Sequence, residues 1–184
     1  MPHYIAFLRG MNLGKRRVKM EQLKALFEGL KFSSVETFIA SGNVVFTARS
    51  VDARKLEKQI ETHLEKSLGY GVDTFVRTRA EVAAIAELRP FSPSDHDQPG
   101  HTVHAGFLRE AISATQIKHL LDAQTEVDEF RVLGREYYWL CRIKTNESKV
   151  WASPQMKLAK LPTSSMRNLT TIRKLAALYP APAN

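Results

Sequence analysis

The sequence predicts an α+β protein of two related halves, and three observations carry that prediction. Short β-rich apolar runs alternate with segments whose apolar residues recur every three or four positions. Through residue 88 the order is β-α-β-β-α-β, that of a ferredoxin-like unit. Beyond a proline-rich stretch the pattern resumes as β-α-β-β-α and a final helix. The chain has 184 residues, 43% of them hydrophobic and 25% charged, which suits one compact domain or two small ones sharing a core.

The elements follow in order. His3–Arg9 is an apolar run closed by Gly10 and reads as a strand. Met20, Leu23, Leu26, Phe27 and Leu30 keep helical spacing. Val35–Ala40 and Val44–Thr47 are strands around the hairpin signal Ser41-Gly42-Asn43. Asp52 caps a helix whose apolar face is Leu56, Ile60, Leu64 and Leu68, and Val72–Arg77 is the fourth strand. Glu81–Leu88 is a short helix. Residues 89–100 hold three of the eight prolines and read as a linker between a unit at 1–88 and a unit at 101–179. The second unit opens with strand His101–Leu108 and helix Ser113–Ala123. A hairpin around Gly134-Arg135, a helical stretch over 153–160 and a last helix capped by Asn168 complete it. It echoes the first half in element order but shows no residue-level repeat. The strands Tyr4–Leu8 and Val44–Phe46 lack alternation, so both faces of their sheet should be covered, by the second half packed on it or merged into it.

No apolar run approaches the roughly 20 residues of a membrane span, so no membrane partner is expected. The start Met1–Ile5 lacks the features of a secretory leader, and a lone Cys141 cannot build a disulfide framework. A cytoplasmic location is the expectation.

Charge is uneven. The chain carries 27 Lys and Arg against 19 Asp and Glu, a net +8. Residues 9–31 hold seven cations against two carboxylates, and residues 142–184 hold eight against one. Each basic segment centres on a loop before a helix. Gly10-Met11-Asn12-Leu13-Gly14-Lys15-Arg16 can aim backbone N–H groups and cations at an anion. It is neither a P-loop nor G-x-G-x-x-G. Ser164–Thr171 gathers hydroxyls, Arg167 and Asn168 at a helix start, where a cation opposes the helix dipole. Ser41 lacks the frame of a nucleophile elbow. Asp95-His96-Asp97, His101 and His104 are poor metal ligands, because His101 and His104 point to opposite sides of a strand; no metal and no cofactor are expected. Cys141 reads as a buried strand residue.

Tyr4-Ile-Ala-Phe-Leu-Arg-Gly-Met-Asn-Leu-Gly14, Val18-Lys-Met20 leading to Leu23, Thr37-Phe-Ile-Ala-Ser-Gly-Asn-Val-Val-Phe46 and Arg167-Asn-x-x-Thr-x-x-Lys-Leu175 resemble the bacterial family called domain of unknown function 1697. The resemblance implies paired α+β units with a ferredoxin-like first part, and no established activity. It departs at Lys15 and Lys31, where members carry glycine, and at Leu169-Thr170, where they carry tryptophan-asparagine. The recurrent polar positions map onto Arg9, Asn12, Ser41, Asn43, Arg167, Asn168 and Thr171.

The expected function is binding of a phosphate-bearing or other anionic small ligand in a basic cleft between the halves. Its lining would be Arg9, Asn12, Lys15, Arg16, Ser41, Asn43, Arg167, Asn168 and Thr171. An enzyme acting on a small phosphorylated or carboxylated metabolite ranks second, needing a base such as Glu36, Asp73 or His3. Nonspecific nucleic-acid binding ranks third, permitted by charge but supported by no motif.

Overall fold

The computed structural model describes residues 1–39, 42–49 and 52–181. The chain divides into two compact units, Met1–Ile85 with Leu175–Asn184, and Ala86–Lys174. Each is built on its own four-stranded antiparallel sheet.

The first unit runs β1 (His3–Arg9), α1 (Met20–Gly29), β2 (Ser33–Phe38), β3 (Asn43–Thr47), α2 (Ala53–Leu68), β4 (Asp73–Thr78), α3 (Arg79–Glu87), with strand order β2-β3-β1-β4. This is the ferredoxin-like arrangement that the element order implies. Leu23 and Phe27 of α1 and Leu56, Ile60 and Leu64 of α2 pack on Tyr4, Ala6, Leu8, Val44 and Phe46. Each Leu, Ile, Val or Phe among them contributes about 1.5–3 kcal/mol by leaving water. The opposite sheet face is also buried, with Ile5, Phe7, Val45 and Phe75 at 0% exposure, which explains the unbroken apolar runs. Asp52 caps α2 by accepting from the amides of Arg54 and Lys55.

β4 lies at the sheet edge, and its outward amides are closed by three glutamates. Thr74 N–H donates to Glu61 at 2.9 Å, Val76 N–H to Glu57 at 2.9 Å and Thr78 N–H to Glu81 at 2.7 Å. Glu57 and Glu61, one helical turn apart on α2, thus serve amides two residues apart on the strand. Glu81 also receives the Thr78 hydroxyl and donates its own amide back to it, a capping box at the start of α3.

The second unit repeats this order. After α4 (Pro93–Asp97) come β5 (Thr102–Phe107), α5 (Ala114–Asp122), β6 (Asp128–Leu133) and β7 (Glu136–Cys141). A 3₁₀ turn at Val150–Ala152, α6 (Pro154–Ala159), β8 (Ser165–Asn168) and α7 (Leu169–Leu178) follow, and the sheet order is β6-β7-β5-β8. The register makes the equivalence residue by residue. Ile5 pairs with Val45 and Arg77, and Ala105 with Tyr138 and Arg167. Ala6-Phe-Leu-Arg9 therefore matches Gly106-Phe-Leu-Arg109, a residue-level repeat that the sequence reading did not find. Tyr4 lies against Phe46 at 5.7 Å, and in the equivalent place His104 stacks on Trp139 at 5.1 Å.

Two elements differ from expectation. Residues 164–168 read as loop and cap, but Ser165–Asn168 forms edge strand β8. Four residues, mostly polar, give no detectable alternation, and β5 supplies the pairing. Residues 89–100, read as a linker, carry α4, capped by Ser92. Asp95 on that helix takes two hydrogen bonds from Arg142, at 3.0 and 3.1 Å, and Arg142 also reaches Glu129 at 2.6 Å. These bonds hold the Asp95 carboxyl below its ordinary range.

Candidate functional site

The loop between β1 and α1 is held in shape from within. Gly10 (φ +83°) and Gly14 (φ +60°) take the left-handed conformation that glycine adopts without strain. The Asn12 side-chain oxygen accepts from Val18 N–H at 2.9 Å and closes the loop on itself. Tyr70, just before β4, donates its hydroxyl to the Met11 carbonyl at 2.9 Å, and the Arg16 guanidinium lies 4.1 Å over its ring. Arg17 donates to the Gly14 carbonyl. Arg9, Lys15, Arg16, Arg17 and Lys19 are exposed, and no carboxylate occurs from Arg9 through Met20.

The β2–β3 hairpin lies beside this loop. Leu8 N–H donates to the Gly42 carbonyl at 2.8 Å. A Cβ at Gly42 (φ +77°) would meet Leu8 at 3.1 Å and Met11 at 3.6 Å. Asn43 is buried and donates its side-chain amide to the Phe38 carbonyl at 3.0 Å, so it ties the hairpin. Ser41 lies outside the described residues.

In the second unit Arg167 sits on β8, half-buried, and donates to Ser165 Oγ at 2.8 Å and to the Met166 carbonyl at 2.9 Å. Desolvation lowers its pKa to about 10, which leaves it cationic at neutral pH. The Asn168 side chain accepts from Thr170 N–H at 2.9 Å and caps α7, and Thr171 is half-buried in the first turn.

The candidate bases all lie in the first unit, and one of them, Asp73, stands opposite Arg9 where the loop begins. His3 Nδ1 is 3.1 Å from Thr47 Oγ1, and burial, with Arg79 nearby, lowers its pKa. Glu36 accepts from the Tyr179 hydroxyl at 2.8 Å. Asp73 pairs in register with Arg9. Among the described residues no group of three His, Cys, Asp or Glu is arranged to hold a metal ion. Cys141 is buried, donates to the Ile143 carbonyl, and burial raises its pKa, so it is not a poised nucleophile.

The pattern of the proteins of unknown function grouped as DUF1697 matches residues 1–138, three quarters of the chain. The chain belongs to the DUF1697 family. No curated protein sequence matches it. Among solved structures, the DUF1697 chain is similar in fold to conserved bacterial protein SP0830 from Streptococcus pneumoniae. That match has a TM-score of 0.72 and 19% identity, and covers 97% of this chain and 98% of the other.

Sequence reasoning missed two residues, Tyr70 beside the candidate loop and Arg77 on β4. Tyr70 lies 54 residues from Arg16, and only the fold brings its ring beneath that side chain. Arg77, the register counterpart of Arg167, is fully buried and donates to the Val76 carbonyl at 2.9 Å, as Arg167 does to Met166. The signal for Arg77 was available: Arg77-Thr78 and Arg167-Asn168 both precede a helix.

Proposed function

We propose that the protein binds a small phosphate-bearing or other anionic ligand at the Gly10–Lys19 loop of its first unit. One observation carries the reading. The loop's shape is set by Asn12, Tyr70, Arg17 and two glycines, while Arg9 and Lys15 stay exposed in a stretch without carboxylates. A preorganised loop of this kind binds an anion without first being ordered. Arg9 offers a bidentate fork and Lys15 a point charge. The reading rests less on Asn43, Arg167 and Asn168, whose polar atoms hold the hairpin, β8 and the start of α7. Binding is favoured over catalysis because no acid or histidine lies within the loop itself, the one candidate base beside it being Asp73, opposite Arg9 across the β1–β4 pairing.

The test is a melting-temperature titration with phosphate, pyrophosphate and nucleotides. Ligand at 100 times its Kd should stabilise by about 2.7 kcal/mol. The double variant Arg9→Ala/Lys15→Ala should melt like the parent without ligand and lose the shift. A shift that survives in this variant, or no shift at millimolar anion in the parent, would sink the reading.

A further inference from the structure

Arg16 is held against an aromatic ring at both its backbone and its side chain. A turn sets the backbone, with Arg16 N–H donating to the Leu13 carbonyl at 3.0 Å. The guanidinium lies 4.1 Å over the Tyr70 ring. That ring is itself tied to the loop, because the Tyr70 hydroxyl donates to the Met11 carbonyl at 2.9 Å. The carbonyl of the next residue, Gly71, lies 3.9 Å from where a Cβ on Gly10 would stand. Tyr70 and Gly71 therefore run alongside the start of the Gly10–Lys19 loop.

This hold leaves the donors of Arg16 unused. Among the described residues its side chain makes no hydrogen bond and no ion pair. Arg131 gives the contrast: it lies 5.5 Å over Phe91 but donates to the Phe130 carbonyl and to Glu129. A guanidinium so close to a ring meets it with one side, and in the exposed Arg16 the other side faces water. A fixed guanidinium plane of this kind is a platform on which a planar base stacks. Only one such platform is present here. A strand of nucleic acid needs a row of them, and the well-exposed large hydrophobic side chains among the described residues include no aromatic one.

We infer that the ligand of this loop is a mononucleotide, its base stacked on the outer side of Arg16 and its phosphate held by Lys15 and Arg9. The inference rests on the anion-binding reading above and adds the organic part of the ligand. Lys15 is the immediate neighbour of Arg16, and no carboxylate occurs from Arg9 through Met20 to oppose the phosphate. Tyr70 acts as a positioning residue, touching Arg16 and not the ligand.

Titration calorimetry on the full chain tests this with adenosine monophosphate, ribose 5-phosphate, adenosine and inorganic phosphate. Adenosine monophosphate should bind at least about fivefold more tightly than ribose 5-phosphate, the low end for stacking one base. Arg16→Lys keeps the charge and loses the plane, so it should abolish this preference while ribose 5-phosphate still binds. Tyr70→Leu should lower the preference and Tyr70→Phe should restore it. Equal binding of adenosine monophosphate and ribose 5-phosphate would overturn this inference and leave the anion site standing. No binding of any phosphate would overturn both. A preference that survives Arg16→Lys or Tyr70→Leu, or adenosine binding as tightly as its monophosphate, would also overturn the inference. So would a single-stranded decanucleotide binding about a hundredfold more tightly than the mononucleotide, which would make the partner a strand.

Discussion

In the first unit the fourth strand meets a 16-residue helix that carries Glu57 and Glu61 to its outer amides. In the second the equivalent strand, β8, follows a six-residue helix, α6, that carries no acid. Its side-chain ties include the Tyr137 hydroxyl to Ser164 at 2.9 Å and Arg167 to Ser165. The same contrast runs through the packing. Ala6 faces Val44 in the first sheet, whereas Gly106 faces Tyr137 in the second, with the tyrosine ring occupying the space of the missing Cβ. One topology is thus stabilised by helix length and carboxylates in one copy, and by a large aromatic over a glycine in the other.

The largest effect should come from exchanging that packing. In Gly106→Ala the new Cβ would fall 2.0 Å from the Tyr137 ring, so urea denaturation should show a loss of about 3 kcal/mol. Adding Tyr137→Val, which copies the first unit's pair, should couple with it by more than about 1 kcal/mol in a double-mutant cycle. Strict additivity would mean that the ring does not set the size at 106.

Glu57→Ala should cost about 1–3 kcal/mol, because the buried Val76 amide loses its acceptor. Glu57→Gln keeps an oxygen there and should recover much of the loss. Equal losses in the two variants would assign the effect to the Arg54–Glu57 pair rather than to the strand edge.

A third comparison is Tyr4 against His104, equivalent places whose rings lie tilted against Phe46 and stacked on Trp139. Burial lowers the His104 pKa below 6.5, so the unfolded chain binds a proton there that the folded one does not. Stability is therefore full above about pH 6.5 and falls as the pH drops below it, until the lowered folded value is passed. His104→Phe should flatten this fall in melts between pH 7 and 5, with a residual slope from His3, which shifts the same way. An unchanged slope would place the titrating group elsewhere.

The smallest effect concerns the caps. Asn168→Ala should cost about 1 kcal/mol through loss of the Thr170 bond. Thr78→Ala should cost more, because it removes both bonds that the hydroxyl makes in the box with Glu81, leaving only the Thr78 N–H bond. Wild-type stability in Asn168→Ala would free Asn168 from this structural role.

Much of the fold was legible because its helices bury stripes such as Leu56, Ile60 and Leu64 and its strands are runs such as Ile-Ala-Phe-Leu. β8 was not, since Ser-Met-Arg-Asn has no period and becomes a strand only beside β5. The repeat stayed hidden because identity is confined to Phe-Leu-Arg, and the pairs Ala6/Val44 and Gly106/Tyr137 conserve a fit rather than residue types. For the site, charge pattern located the loop cations. It could not tell that Asn12, Asn43 and Asn168 turn inward to backbone groups 2 to 6 residues away, since an amide suits a ligand and a turn equally.

The three glutamates that close the edge of β4 also bear on how such a chain comes to be sorted during synthesis. Two copies of one strand order in a single polypeptide invite later strands to add to the sheet already made, a known failure of repeat proteins. The first copy leaves the ribosome first, and its open side would be the natural template for β5 or β8. With Thr74, Val76 and Thr78 already engaged by carboxylates, an arriving strand finds these three donors taken and would bring its own carbonyls against negative charge. Such a seal would favour pairing of the second copy with itself.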